Sequence, residues 1–221
     1  MKLKDNENIV VLGIFLGVTG LISALVLAVI SHVTSEPIAK AKSAQQMKAM
    51  SQVLPVFDND PSKNVFKTKT VSGWDVTFMG AKKDGKLVAV AAVCANPNGY
   101  AGKVEMLMGL DTDGKVLAAL ITGHNETPGL GANVCTRSFQ KTIFNVAKPA
   151  PAGLAPNTYL DQFNGKIAGD KVWDVKKNGG DFAYRTGATV TSAAITKLAY
   201  ETGRAYTLNK KEILSCLGGE K

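Results

Sequence analysis

The sequence predicts an α+β protein in which an N-terminal transmembrane helix precedes a domain with an antiparallel sheet and flanking helices. Three observations support this fold class. The first is an apolar stretch without any charge from residue 9 to residue 30. The second is a series of short alternating segments between residues 74 and 122, separated by turn signals. The third is a late segment, residues 193–201, whose apolar residues recur at helical spacing.

Residues 9–31 are predicted to form a transmembrane anchor after a short cytoplasmic N-terminus, residues 1–8. At the rise of an α-helix, the uncharged stretch spans about 33 Å, which is enough to cross the hydrocarbon core. A cleaved signal peptide would have a shorter apolar region and a small-residue cleavage site, and residues 31–35 are a poor one. Lysines lie on both sides of the stretch, so charge alone does not fix its orientation.

Residues 35–55 are predicted to form a juxtamembrane helix. Ser35 followed by Pro37 has the pattern of a capping hydroxyl and a proline in the first turn, and Pro55 marks the end. The lysines of this helix either lie against lipid headgroups or form a solvated face. The remaining residues, 56–221, form the main domain.

The region from Trp74 to Thr122 is predicted to be an antiparallel meander. Residues 74–79 alternate, and the turn signal Asp84-Gly85 leads into an apolar run at residues 87–93. Alternation returns in the next segment, at Val104, Met106, Met108 and Leu110. The Asp-Thr-Asp-Gly run at residues 111–114 lacks the other ligands of a calcium loop and is predicted to be a turn before a strand at 116–121.

The C-terminal third is predicted to contain a loop at residues 145–157, a strand at residues 172–175 and a final helix. Thr189, Thr191 and Ser192 each qualify as the hydroxyl cap of that helix. A helix start supplies unpaired N–H groups and the positive end of a dipole, which suit a phosphate. The two small residues before Thr189 allow a ligand to approach the backbone. An ordinary capped helix after a turn is the alternative.

Composition limits the chemistry. The net charge of +8 comes from Lys and Arg spread along the chain, which indicates solubility or contact with anionic lipid, and no nucleic-acid motif is present. Three cysteines without a Cys-x-x-Cys pair, and two histidines, do not predict a metal or iron–sulfur site. No nucleophile–base pair stands out, so no catalytic residue is predicted. These residues suit a protein that holds a cofactor.

The segment Thr186-Gly187-Ala188-Thr189-Val190-Thr191 resembles the Ser/Thr-Gly-Ala-Thr-x-Ser/Thr motif of FMN-binding domains. These domains occur in the G-type component of the Rnf complex and in the C-type component of the sodium-pumping NADH:quinone reductase. In those families a flavin transferase esterifies the FMN phosphate onto the threonine after the Gly-Ala pair. The resemblance therefore implies covalent FMN on Thr189, with the other five residues around it. Where the families place an aspartate six residues earlier, this chain has Ala183.

Two further segments resemble these domains. Residues 99–102, which include Tyr100, are similar to a Gly-Tyr-x-Gly turn, and residues 126–131 are close to a Glu-Thr-Pro-Gly-Leu-Gly loop. The resemblance implies that both segments line the flavin. Leu130 would pack near the ring, with Glu126 and Thr127 in polar contact and Gly131 beside them. Without a flavin, the same glycines would serve as ordinary turn residues.

The resemblance covers nearly the whole chain and implies a membrane-anchored electron-transfer subunit. Its antiparallel-sheet FMN-binding domain would lie on the periplasmic side of the cytoplasmic (inner) membrane, with one pass through the bilayer. The complex would couple electron transfer between ferredoxin and NAD to translocation of sodium ions or protons. Other Rnf membrane subunits, the flavin transferase and membrane lipid are the implied partners. The chain has no dinucleotide fingerprint and no cluster-binding cysteines, so the NAD site and any iron–sulfur clusters of the complex would belong to other subunits.

Three alternatives remain open from the sequence. The C-type component of the quinone reductase shares the motif, although the shorter length and the Thr-Gly-Ala-Thr form favour Rnf. A non-redox anchored module would hold a phosphorylated ligand reversibly or serve as a flavin-free assembly factor. A soluble secreted protein would result from signal cleavage.

Overall fold

The computed structural model describes residues 9–139, 153–169 and 171–218, and the chain divides into two units, Met1–Met47 and Lys48–Lys221. The predicted N-terminal segment, residues 1–8, lies outside the described residues. Most of the predicted loop at residues 145–157 does so as well.

One helix, α1 (Ile9–Val53), contains both the predicted anchor and the predicted juxtamembrane helix. The predicted helix start at Ser35 is wrong, because the chain stays helical through Pro37. The Ser35 hydroxyl donates to the carbonyl oxygen of His32 at 2.9 Å instead of capping a new helix. Pro37 has no backbone N–H, so the helix loses one hydrogen bond there but continues. The apolar part of α1 has a mean hydropathy of 2.5 and is long enough to cross a membrane.

The second unit is built on a five-stranded antiparallel sheet in the order β1-β2-β3-β4-β5, which confirms the predicted meander. Its strands are β1 (Val65–Lys69), β2 (Asp75–Lys83), β3 (Lys86–Gly99), β4 (Gly102–Leu110) and β5 (Val116–Gly123). The sequence did not predict β1, because this edge strand is largely exposed and has no apolar alternation. In the described residues after the sheet, the helices are α2 (Ala132–Cys135), α3 (Thr158–Asp161), α4 (Thr189–Leu208) and α5 (Lys210–Gly218).

Helices cover both faces of the sheet. On one face, Phe78 of β2 meets Tyr206 of α4 edge to face, with ring centroids 5.8 Å apart. The alternating residues predicted for β4 all lie in this core: Val104, Met106, Met108 and Leu110. On the other face, Met50 and Val53 from the end of α1 pack into a second cluster with Leu107. The period-2 pattern of the strands therefore separates two buried layers.

Gly109 of β4 lies against the end of α1. A Cβ atom at this position would lie 2.2 Å from the carbonyl oxygen of Val53. Because that neighbour is backbone, we expect Gly109→Ala to lower the free energy of unfolding by about 3 kcal/mol. Gly169→Ala is the matched control, since no atom of the described residues lies within 4 Å of its Cβ position. Urea unfolding compares the two variants, and equal stabilities would contradict this packing.

Residues 172–175 do not form the predicted strand. Val175 makes only an isolated parallel bridge with Phe182, and a 3-10 turn follows at Lys176–Asn178. Trp173 stacks on Phe163, with ring centroids 5.9 Å apart, and both rings contact Phe182. Of the apolar residues that suggested a strand, Trp173 is therefore buried in an aromatic cluster and Val175 is also buried, whereas Val172 is 61% exposed.

Candidate functional site

The helix α4 begins at Thr189, directly after a tight turn. The N–H of Ala188 donates to the carbonyl oxygen of Arg185 at 3.0 Å, and Gly187 has a φ of 83°, in the left-handed region that favours glycine. Ala188 is the N-cap residue, and no described side chain caps the helix. The N–H groups of the first turn therefore have neither an intrahelical carbonyl nor such a cap to bind. A helix start of this kind suits an anion.

The predicted hydroxyl cap is wrong. Thr191 and Ser192 lie inside the first turn, and both are buried. The Ser192 hydroxyl donates to the carbonyl oxygen of Ala188 at 2.9 Å and accepts the N–H of Arg185 at 3.2 Å. The hydroxyl of Thr189, by contrast, is half-buried and makes no hydrogen bond to the described part of the chain. Of the helix-start hydroxyls, Thr189 is the one left available to a ligand.

Glu126 brings the three predicted motif segments together. Its side chain is only 4% exposed. One carboxylate oxygen accepts the hydroxyl of Thr191 at 2.7 Å, and the other accepts the backbone N–H of Ala101 at 3.2 Å. The turn between β3 and β4, the loop at residues 126–131 and the start of α4 thus meet at one buried carboxylate. We call Glu126, Thr191 and the Ala101 N–H the Glu126 junction.

Two glycines make room for this junction. A Cβ atom at Gly131 would lie 2.5 Å from Glu126 Oε2 and 2.8 Å from Thr191 Oγ1. A Cβ atom at Gly99 would lie 2.7 Å from Glu126 Oε1. All three distances are too short for a real side chain, so the small residues of the two segments serve the close approach of Glu126. His124 also contacts this loop, since its Nδ1 accepts the backbone N–H of Glu126 at 3.2 Å.

The predicted site residues divide into a buried set and an accessible set. The buried set comprises Glu126, Gly131, Ala188 and Thr191. The accessible set comprises Tyr100, Thr127, Leu130, Thr186, Gly187, Thr189 and Val190. Within it, Leu130 lies beside Gly187, since a Cβ atom at residue 187 would be 3.4 Å from Leu130 Cδ2.

The accessible set fits a flavin phosphate held at Thr189. The threonine hydroxyl is accessible, the first turn of α4 offers free N–H donors, and Gly187 has no side chain to block the approach. Leu130 and Val190 are 46% and 53% exposed, so they offer an apolar surface on which a planar ring can pack. Among residues 9–139, 153–169 and 171–218, no group of three or more His, Cys, Asp and Glu side chains has the arrangement of a metal site.

Arg185 is a site residue to which the sequence alone assigned no role. Its Nη2 donates to the carbonyl oxygen of Gly129 at 3.1 Å and so joins the turn before α4 to the 126–131 loop. The available signal was its position directly before a run of small and hydroxyl residues, but Arg is frequent at surfaces and its contact is non-local.

Burial makes two of the three thiols unreactive. Burial raises the pKa of Cys135 to about 12 and raises the pKa of Cys94 above its ordinary value, whereas Cys216 is exposed. Because the thiolate is the reactive form, we expect a maleimide at neutral pH to label the folded protein at Cys216 alone. Unfolded protein should take up three labels. Peptide mass spectrometry locates them, and fast labelling of Cys94 or Cys135 in folded protein would contradict the burial.

The chain is similar to a known family along most of its length. Residues 99–202 match the family model described as an FMN-binding domain, and this range contains all three segments of the Glu126 junction. Proteins named as the G component of the ion-translocating oxidoreductase complex are also similar. The Photorhabdus laumondii protein is 31% identical over 95% of this chain and 96% of its own length. The Escherichia coli K12 protein is 32% identical over 85% and 83%, and the Shewanella baltica protein is 30% identical over 92% of each.

Proposed function

The chain belongs to the G-component family of ion-translocating oxidoreductase complexes, and on that premise we propose that it carries FMN as a phosphoester on Thr189. It works as an electron-transfer flavoprotein subunit of an Rnf-type complex. The single observation that carries the attachment site is the accessible hydroxyl of Thr189 at the uncapped start of α4. The neighbouring hydroxyls of Thr191 and Ser192 are buried and already hydrogen-bonded.

Each part of the site has a separate task in this proposal. Bound FMN supplies the ability to exchange one or two electrons. Thr189 fixes the phosphate covalently, and the N–H groups and dipole of the first turn of α4 stabilise its negative charge. Leu130 and Val190 keep water from the part of the ring that they cover. An accessible Tyr100 and the hydroxyls of Thr127 and Thr186 are free to make polar contacts.

The buried residues of the motif act through the accessible ones. Both carboxylate oxygens of Glu126 already accept hydrogen bonds from the protein. Its task is therefore to hold the loop that presents Leu130 against the turn that contains Gly187. The second hydroxyl of the motif, on Thr191, serves this junction.

The location of the flavin is part of the same proposal and is supported by the anchor. Helix α1 contains an apolar stretch long enough to cross the bilayer once, and in this proposal residues 1–8 lie in the cytoplasm. The FMN-binding domain then lies on the periplasmic side of the cytoplasmic membrane, where the flavin transferase acts. Other membrane subunits of the complex exchange electrons with this flavin. The complex couples electron transfer between ferredoxin and NAD to translocation of sodium ions or protons.

Flavin fluorescence after denaturation tests the covalent link. The full-length chain is made with and without its flavin transferase and run on a denaturing gel. We expect fluorescence on the band only when the transferase is present. Fluorescence that disappears on denaturation would instead indicate a reversible ligand, and the proposed ester would be wrong. In the purified complex, activity with quinone instead of ferredoxin would favour the related quinone reductase.

A further inference from the structure

Arg185 has a buried donor that finds no acceptor in the described part of the chain. Its Nε is buried and has no hydrogen-bond partner among the described residues, although its Nη2 reaches the carbonyl oxygen of Gly129. Within the described part of the chain, no carboxylate lies within 4.0 Å of its guanidinium. A buried donor left unpaired costs about 1–3 kcal/mol, and more when it is charged. The described residues therefore do not satisfy this side chain.

A second arginine shows how this fold satisfies a buried guanidinium. Arg137 is 4% exposed and lies 2.7 Å from a carboxylate oxygen of Asp161, in an ion pair whose N–H direction is not aligned for a hydrogen bond. Its other nitrogens donate to the carbonyl oxygens of Ala119 and Ala155. Arg137 thus has an anion beside it, whereas the described residues give Arg185 only a neutral carbonyl.

The backbone fixes Arg185 beside the proposed attachment site. Its N–H donates to the Ser192 hydroxyl, and its carbonyl oxygen accepts the N–H of Ala188, so residue 185 forms one end of the turn that contains Gly187. Its side chain reaches Gly129, next to Leu130. The guanidinium therefore extends between the two segments that border the Gly187–Leu130 contact. No ion pair of 4.0 Å or less joins Arg185 to Glu126, both of which are described, and the Glu126 oxygens instead accept the Thr191 hydroxyl and the Ala101 N–H.

We propose that Arg185 is the phosphate-binding side chain of this site, with its Nε–H donating to a phosphate oxygen of FMN. This inference rests on the proposed function at Thr189. Guanidinium and phosphate make strong charge-assisted hydrogen bonds, and a phosphate supplies the anion that Arg185 lacks. Before attachment, Arg185 holds the phosphate near the Thr189 hydroxyl. After attachment, it pairs with the remaining negative charge of the diester.

The test compares FMN with riboflavin, which differs from FMN by the phosphate. Full-length protein made without flavin transferase is titrated with each ligand in detergent, with ligand fluorescence as the readout. We expect the wild type to bind FMN more tightly than riboflavin and inorganic phosphate to compete with FMN. Arg185→Gln should weaken FMN binding about tenfold, or about 1.4 kcal/mol, and leave riboflavin binding unchanged. Arg185→Lys should retain part of the preference for FMN over riboflavin, because lysine keeps the positive charge.

Arg204→Gln is the control, because Arg204 lies 15 residues further along α4, roughly 22 Å from its start. Equal wild-type affinities for FMN and riboflavin, including no binding of either, would overturn the proposal. So would an Arg185→Gln protein that is less stable without ligand but keeps the FMN preference, because that result indicates a structural role only. If Thr189 proves unmodified while the preference depends on Arg185, the ester is wrong and the phosphate site stands.

Discussion

Thr189→Ala is expected to abolish covalent flavin. When the variant is produced with flavin transferase, its intact mass should equal the mass calculated for the bare chain, and its denatured band should not fluoresce. The reason is that the variant loses the accessible hydroxyl at the start of α4, while the hydroxyls of Thr191 and Ser192 stay buried in hydrogen bonds. The fold should be unaffected, because the Thr189 hydroxyl makes no hydrogen bond to the described residues and alanine is a good helix former.

Two control variants separate attachment from folding. Thr189→Ser keeps a hydroxyl at the same position and should retain covalent FMN. Thr158→Ala removes an exposed hydroxyl in α3, outside the three motif segments, and should also retain it. A Thr189→Ala protein that still carries flavin after denaturation would show that another residue is the attachment site.

Glu126→Ala is expected to have the largest effect on stability within the site. The change leaves the Thr191 hydroxyl and the Ala101 N–H without their acceptors and removes a side chain that is 4% exposed. Two hydrogen bonds to a charged group are lost, so we expect the free energy of unfolding to fall by about 3 kcal/mol. For a domain of this size, that corresponds to a loss of roughly 6 to 12 °C in Tm. Covalent FMN should fall as well, because the loop with Leu130 is released.

The matched control is Glu105→Ala, which removes a half-exposed carboxylate paired with Lys103 on the same sheet and should cost less than about 1 kcal/mol. Glu126→Gln should lie between the two, since its amide oxygen still accepts one hydrogen bond. Thermal unfolding measures all three variants. A Glu126→Ala protein as stable as Glu105→Ala would show that the Glu126 junction does not hold the segments together.

The sheet was predictable because its signals are local. Alternating apolar residues such as Met106 and Met108 bury one face of a strand, and Asp84-Gly85 supplies the turn that the hairpin needs. The edge strand β1 has no such alternation because little of it is buried. Residues 172–175 carried a false strand signal, since Trp173 is buried by aromatic rings and has no neighbouring strand among the described residues.

The sequence predicted which residues belong to the site, but not which of them contact one another. Hydroxyl residues near a helix start serve either as caps or as donors to an earlier carbonyl, and local sequence does not distinguish the two. Ser35 and Ser192 both proved to be such donors. The pairing of Glu126 with Thr191 joins residues 65 positions apart, and only the fold reveals it. Arg185 was missed for the same reason.

The most direct test of the central claim is the fragmentation mass spectrum of the peptide that contains Thr189. The protein is made as the full chain with its flavin transferase. The account predicts an added mass equal to one FMN less one water, located on Thr189. An unmodified Thr189, or the same added mass located on Thr186 or Thr191, would contradict it.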